Sequence, residues 1–260
     1  MLELYHGEPN GYFLKPLIAL HEKQVPFTSR WLDPAALEHF DAQLPRDTEA
    51  SLHLEREGPL LLHDGRLISN SCFMLEYIAA AFPGAELTPG DAFQHYRAHA
   101  WGQVLTAVGA DVSILGCARY LAPRLQSQDR AQLQARLASI EPFERRQAWR
   151  AVADGLYDDK AVAAAKERLG GPLRRLETAL GQSEWLAGAG YSIADIDAFA
   201  LLVALPGLAP ELVDPARTPR LVEFLRRMSA RPAVQAALAV SRSGKPLEAF
   251  VPGAEPSRWG

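Results

Sequence analysis

The N-terminal part of the chain alternates between short apolar strands and apolar helical faces. Residues 2–4 place a polar side chain between two apolar ones, which is the period-two pattern of a strand. Residues 14–21 carry apolar side chains at helical spacing, and we expect Pro16 in the first turn of that helix, where proline is tolerated. Residues 27–32 predict a second strand. The chain is therefore expected to begin with strand, helix and strand.

A hairpin and a further helix are predicted next. Residues 59–63 are an apolar run, and residues 66–68 return as its partner. Asp64-Gly65 predicts the two-residue turn between them, because both turn positions need a positive φ. Ser71 then opens a helix whose apolar side chains lie on one face.

The pattern changes after a stretch rich in proline and glycine at residues 82–90, which we interpret as a linker. From Asp91 onward the apolar residues follow long helical periods, and no strand signal is convincing. A mixed strand-and-helix half followed by helices alone indicates two domains of different class. We place them at residues 1–84 and 91–260.

Two helix starts in the second half are well specified. Ser192 can cap a helix, and Asp195, three residues on, can reach back to the Ser192 N–H as in a capping box. Thr218 is expected to cap a later helix, with Pro219 at its first position.

Composition narrows the class of protein. The chain has 260 residues and a formal net charge of −4, without a long block of Lys or Arg, so nucleic acid is not an expected partner. It has no basic segment followed by an apolar run at its start, and we expect no apolar stretch long enough to cross a bilayer. We therefore expect a cytoplasmic protein and no membrane partner.

The two cysteines, Cys72 and Cys117, are isolated in the sequence. They offer neither a disulfide framework nor a dithiol motif nor the Cys/His spacing of a metal site, so no metal is expected. Cys72 follows Ser71 at a predicted helix start, where it is either a thiol of lowered pKa or a buried structural cysteine.

The ordered set of motifs resembles a glutathione transferase over nearly the whole chain. Its N-terminal part is carried by residues 5–16, 58–60, 63–65, 71–78 and 82–83, and its C-terminal part by residues 192–196, 218–219 and 230–232. The resemblance implies an α/β thioredoxin-like N-terminal domain, with a mixed sheet and flanking helices, followed by an all-α C-terminal helical bundle. It also implies glutathione as cosubstrate and a dimeric assembly.

Within that family the chain looks most like the bacterial β-etherases, which use glutathione to cleave lignin-derived aryl ethers. Residues 14–17, 32–34, 63–66 and 148–150 carry this finer resemblance. It implies a small aromatic substrate, thiolate attack on the ether carbon, and either a homodimer or a heterodimer with a paralogue.

The resemblance also assigns the glutathione site. Pro59 would be the cis-proline before the third strand, and Gly58 would meet the cysteinyl backbone of glutathione through its N–H and C=O. Ser71, at the start of a helix, would bind the γ-glutamyl carboxylate, since free N–H groups there favour an anion. Asn70 stands where the family usually has an acidic residue that holds the ammonium group.

The thiol-activating position departs from the family. Similar etherases are expected to carry an Asn-Ser pair just before the Leu-Lys-Pro sequence, whereas this chain has Tyr12-Phe13 there. A phenylalanine ring has no donor for a thiolate. The candidate donors are therefore Tyr12 and Asn10, with Tyr5 as a weaker one.

Two functions from different classes follow. The chain is either a glutathione-dependent β-etherase, alone or as one subunit of a heterodimer, or a non-catalytic subunit that supports an active paralogue. A thioredoxin-like reductase is disfavoured, because residues 10–16 contain no cysteine.

Overall fold

The computed structural model of the chain describes residues 1–41, 44, 59–88, 90–140 and 143–253. Gly58 lies outside the described residues, so its predicted contact with glutathione stays a prediction.

The N-terminal half contains a four-stranded mixed sheet. Its strands are β1 (Leu2–His6), β2 (Thr28–Trp31), β3 (Leu60–His63) and β4 (Arg66–Ile68), in the order β2-β1-β3-β4. β1 runs parallel to β2 and antiparallel to β3, and β3 and β4 form the predicted hairpin. Asp64 and Gly65 at its tip have φ values of 48° and 82°, which explains the choice of residues there.

Helix α1 spans Gly11–Glu22 and helix α2 spans Ser71–Ala81. The expectation that Pro16 lies in the first turn of its helix is wrong, because α1 begins at Gly11 and holds Pro16 in its interior. The earlier start follows from Asn10, which caps the helix with its side chain, a local signal that outweighs the apolar spacing.

The C-terminal half is helical. It comprises α3 (Ala92–Gly116), a π-helical turn (Cys117–Leu121), α4 (Ala122–Gln126), α5 (Arg130–Ala138), α6 (Phe143–Ala153), α7 (Asp159–Gln182), α8 (Ile193–Leu202), α9 (Leu205–Leu208), α10 (Pro219–Ser229) and α11 (Pro232–Ala239). In the described part of this half, strand pairing is limited to one isolated bridge between Trp185 and Gly188.

Helix α8 is the centre of the molecule, since every residue from Ile193 to Leu202 is buried. Its start is the predicted capping box: the Ser192 N–H donates to Asp195 Oδ2 over 2.9 Å, and the Leu186 N–H donates to Asp195 Oδ1 over 2.9 Å. α8 packs against α3 and also against α1 of the N-terminal half. One apolar core therefore joins the two halves.

The cap of α10 differs from the expectation. Thr218 occupies the N-cap position, but its hydroxyl bonds to the backbone of Asp214 and not to the helix. The free N–H groups of Arg220 and Leu221 donate instead to the two carboxylate oxygens of Glu177 on α7, over 3.0 and 2.9 Å. A side chain from a distant helix thus replaces the local cap.

One helical run among the described residues, Ala92–Gln126, is long and apolar enough by composition to cross a membrane. The mean hydropathy of its most apolar window is 1.4. The expectation that no stretch reaches this length is therefore wrong. Its most apolar window is 56% buried inside the protein, and α3 packs along α7 and α8. The run has the surroundings of a core helix, whose apolar side chains are covered by neighbouring helices.

Candidate functional site

The turn between β1 and α1 positions the predicted thiolate donors. Asn10 is buried, and its two amide atoms are both engaged: Oδ1 accepts from the Gly11 N–H over 3.0 Å, and Nδ2 donates to the carbonyl of Ala249 over 2.7 Å. Gly11 has a φ of +51°, a conformation that a side chain would strain. Asn10 and Gly11 therefore fix the direction in which the next residues enter the helix.

Tyr12 and Phe13 point into different surroundings. The Tyr12 hydroxyl lies between α3 and the end of the described chain, since a Cβ added to Gly109 or Gly253 would come within 3.1 or 3.2 Å of it. Lys15 Nζ lies 5.1 Å from the centroid of the Tyr12 ring. Phe13 is buried, and its ring packs close to Gly7.

The start of α2 holds the predicted carboxylate site. Ser71 is the first helical residue and is buried. Asn70 has a φ of +66°, which is uncommon for a residue with a side chain, and its Oδ1 accepts from the N–H groups of Cys72 and Phe73. Backbone strain of this kind is concentrated at ligand-binding positions. Asn70 thus caps the helix, and Ser71 is buried at the first helical position.

A buried ion pair lies beneath these two elements. Lys15 Nζ is 2.6 Å from Asp197 Oδ1 on α8, and both side chains are almost fully buried. Lys15 Nζ also lies 3.5 Å from Cys72 Sγ. Burial raises the pKa of the Cys72 thiol although the Lys15 charge opposes it, so Cys72 is a protonated structural cysteine and not an activated one.

Pro59, predicted to precede the third strand, and the nearby His6 are both buried. Pro59 is buried immediately before β3. His6, at the end of β1, is buried with Nδ1 at 2.7 Å from the Gly7 carbonyl and Nε2 at 2.7 Å from the Ser29 hydroxyl. Burial lowers the pKa of His6, which keeps this histidine neutral.

Two cavities adjoin the β1–α1 turn. The larger, about 260 Å³, is lined by residues that include the aromatic Phe13, Trp31 and Phe250, the cationic Arg124 and Arg242, and the acidic Glu8 and Asp33. Arg242 lies over the Trp31 ring, 4.9 Å from its centroid. The smaller, about 20 Å³, is lined by residues that include Asn10, Tyr12 and Phe13. The larger cavity has the volume and the apolar faces for one substituted aromatic ring.

Similarity to known proteins in sequence and structure identifies the fold that these elements form. Residues 148–240 match the family model of the glutathione S-transferase C-terminal domain. The crystal structure of beta-etherase LigF from Sphingobium sp. strain SYK-6 superposes with a TM-score of 0.82, at 27% identity, over 92% of this chain and 99% of that one. The chain has the glutathione transferase fold.

Further likenesses agree with this fold. The chain is 28% identical to Protein LigF of the same Sphingobium strain over 241 residues, which is 90% of this chain and 91% of that protein. Glutathione transferase F7 from Populus trichocarpa superposes with a TM-score of 0.65 at 20% identity, over 92% of this chain and 98% of that one. The mixed sheet followed by helices confirms the predicted fold class.

Several contributors to this glutathione transferase fold were missed by sequence reasoning. Lys15 and Asp197 each interrupt an apolar stretch, and a charged residue within such a stretch was the available signal of a buried ion pair. The end of the described chain, with Ala249 and Phe250, gave no periodic signal at all. Its place beside Asn10 and Phe13 is set by tertiary contacts alone.

Proposed function

We propose that this chain is a glutathione-dependent transferase of the β-etherase type, which cleaves β-aryl ethers of lignin-derived aromatics. The observation that carries the proposal is the similarity to LigF, a protein whose crystal structure is described as that of a beta-etherase, over 90% of this chain. The nearby cavity of about 260 Å³ with three aromatic rings supports an aryl substrate.

The proposed reaction is a displacement. The sulfur of glutathione, as thiolate, forms a bond to the carbon that bears the ether oxygen, beside a ketone. The bond between this carbon and the oxygen breaks, and the electron pair leaves with a phenolate. The protein orients the two reactants and stabilises both anions, so proximity and electrostatics account for the rate gain.

Glutathione would lie along the N-terminal half, which we assign to residues 1–84. Pro59 and Gly58 would hold the cysteinyl backbone. Ser71 would bind the γ-glutamyl carboxylate with its hydroxyl, helped by the positive end of the α2 dipole. Asn70 would accept from the ammonium group without supplying a charge.

The thiolate and the aryl group would lie on either side of Phe13. Asn10 and Tyr12 are the proposed thiolate donors, and both line the smaller cavity. The larger cavity belongs to the interface with the helical half, which we assign to residues 91–260. Arg124 and Arg242 there would stabilise the negative charge that develops on the leaving phenolate.

A second candidate function is a non-catalytic subunit of a heterodimer, in which an active paralogue performs the chemistry. The observation that favours it is local: Phe13 offers no donor, and the Asn10 amide already donates to Ala249. The enzyme, in turn, would be a homodimer or one subunit of such a heterodimer. We place either form in the cytoplasm, where reduced glutathione is abundant.

The glutathione site is tested by calorimetric titration. We expect the wild-type protein to bind glutathione at millimolar concentration or tighter. Ser71→Ala should weaken binding about tenfold, because it removes a hydrogen bond to a carboxylate. Ser139→Ala, at the exposed end of α5, is the matched control and should bind like wild type.

Product analysis separates the two functions. A β-aryl ether ketone incubated with glutathione should give the glutathione thioether and a free phenol with this protein alone, detected by mass spectrometry. If this protein forms no product by itself but product appears when a paralogue from the same genome is added, the non-catalytic subunit is supported.

The thiolate donors are tested separately. Tyr12→Phe or Asn10→Ala should raise the pKa of the bound glutathione thiol, which the ultraviolet absorbance of the thiolate measures.

A further inference from the structure

The two cavities beside the β1–α1 turn share a wall. Both are lined by Phe13 and by residues 249–251, whereas Asn10 and Tyr12 line the smaller one only. At about 20 Å³ the smaller cavity has room for roughly one water molecule. Phe13 and residues 249–251 therefore lie between the proposed thiolate donors and the space for an aryl group.

The wall belongs to a segment that we call the C-terminal strap, residues 246–253. Its backbone carbonyls are held by side chains from both halves. Asn10 Nδ2 donates to the Ala249 carbonyl over 2.7 Å, and Arg145 of α6 donates to the carbonyls of Pro252 and Gly253 over 2.9 and 2.7 Å. Arg145 is itself 2% exposed, so its guanidinium is committed to this contact region.

The chain before the strap is anchored separately. The buried carboxylate of Glu8 accepts from the Ser241 hydroxyl over 2.5 Å and from the N–H groups of Arg242 and Ser243 over 3.0 and 2.8 Å. Gly244, between this anchor and the strap, has a φ of +70° and nothing within 4 Å of its Cβ position. The strap thus begins after a fixed turn, in which the Gly244 N–H donates to the Ser241 hydroxyl oxygen over 3.1 Å and glycine adopts the left-handed angles without strain.

The ring of Phe250 occupies the space beside Gly116 that a larger residue's side chain would need. It stacks on Tyr120 with 6.2 Å between ring centroids and 9° between planes. A Cβ at Gly116 would lie 2.2 Å from its ring atoms, so the ring occupies the space that any larger residue would need. Gly116 has helical backbone angles of −69° and −41°, which alanine adopts readily.

We propose that the C-terminal strap is an autoinhibitory gate over the glutathione and aryl sites. In the closed state the Ala249 carbonyl takes the Asn10 donor, and residues 249–251 keep the two reactants apart. Swinging about Gly244 frees the Asn10 amide and joins the two cavities, so that a thiolate and an aryl ether can meet. This inference rests on the proposed function.

Gly116→Ala tests the gate, because it expels the Phe250 ring while Gly116 itself lines neither cavity. Gly102→Ala is the matched control: it makes the same change in the same helix, at a position with nothing within 4 Å. Hydrogen exchange measured by mass spectrometry, without ligand, should show the amides of residues 247–253 exchanging about tenfold faster in Gly116→Ala. Gly102→Ala should match wild type.

Glutathione titration completes the test. If the gate inhibits, Gly116→Ala should bind glutathione about tenfold tighter than wild type and Gly102→Ala. Unchanged exchange in the strap would overturn the gate, and so would faster exchange with no gain in affinity. Faster exchange in a protein that binds no glutathione in any form would leave a mobile strap and contradict the proposed function instead.

Phe250→Ala keeps the gate testable if Gly116→Ala does not fold. It removes the ring itself, and Phe143→Ala, an exposed phenylalanine on α6, is its control. We expect the same acceleration of exchange and gain in glutathione affinity for Phe250→Ala. A strap as well protected as in wild type would refute the gate here as well.

Discussion

Lys15 and Asp197 form an ion pair between the first helix and the most buried one. Burial lowers the pKa of Lys15, but the charge of Asp197, with smaller contributions from Cys72 and Tyr12, outweighs it, so the pKa of Lys15 is raised and the amine stays charged. A buried pair of this kind contributes little beyond what its desolvation costs. Either charge, if buried without the other, would destabilise the folded protein.

Removing one partner of this pair should be more harmful than removing both. Lys15→Met leaves the Asp197 carboxylate buried without its counter-ion, and we expect a loss of about 3–5 kcal/mol in the free energy of unfolding. The double variant with Asp197→Leu should recover a large part of that loss. Chemical denaturation measures both. Lys166→Met, which breaks the exposed pair with Glu211, should cost at most about 1 kcal/mol.

His39 makes the stability depend on pH. Its ring is buried against Trp149, and burial together with the Arg145 charge lowers its pKa to about 3. Below pH 6.5 the unfolded histidine binds a proton that the folded one does not, so stability falls as the pH drops, by about 1.4 kcal/mol per pH unit.

The corresponding prediction concerns His39→Phe, which cannot take up the proton in the unfolded state. Between pH 7.5 and 5 it should lose about 2 kcal/mol less unfolding free energy than wild type. Urea titrations at the two pH values measure the difference. The exposed His95→Gln should keep the wild-type slope, and an equal slope in His39→Phe would contradict the assignment.

At the scale of elements, helix α10 depends on a distant side chain for its start. Glu177→Ala removes the acceptor for the N–H groups of Arg220 and Leu221 and should cost about 1–2 kcal/mol. Glu167→Ala, an exposed glutamate on the same helix α7, should change stability by less than about 0.5 kcal/mol. Thermal and urea unfolding of the two variants compare them directly.

The sequence predicts those elements whose signals are local. The turn at Asp64 and Gly65 and the box of Ser192 and Asp195 are encoded within four residues, and both form as expected. The cap of α10 depends on Glu177, 43 positions before Arg220, so no local pattern contains it. For the same reason the motifs indicated the candidate glutathione site, whereas the strap beside it came from contacts made more than two hundred positions apart.

At the scale of the whole molecule, the two halves share one core. Apolar side chains of the sheet and of α1, α2, α3, α7, α8, α10 and α11 belong to a single buried cluster. Arg231, the N-cap residue of α11, adds a bidentate bond to Glu22 of α1, over 2.7 and 3.0 Å. Separating the halves would expose apolar surface on both, and this couples their stabilities.

We therefore expect one cooperative thermal transition in spite of the two classes of architecture. Differential scanning calorimetry should give a calorimetric enthalpy close to the van't Hoff enthalpy. Two resolved transitions would show that the halves unfold independently. Fragment 1–84, expressed alone, should lack a cooperative transition, because α1 and α2 would lose the cover that α8 and α11 provide.

The π-helical turn at Cys117–Leu121 holds one residue more than an α-helical turn would. Deleting one residue there would let α3 and α4 run on as one continuous helix, and the side chains within the former turn, Tyr120 among them, would rotate about the helix axis to fit the 3.6-residue period. Tyr120 would then leave the ring of Phe250. A single codon thus decides whether the ring of Phe250 has the ring of Tyr120 to stack on.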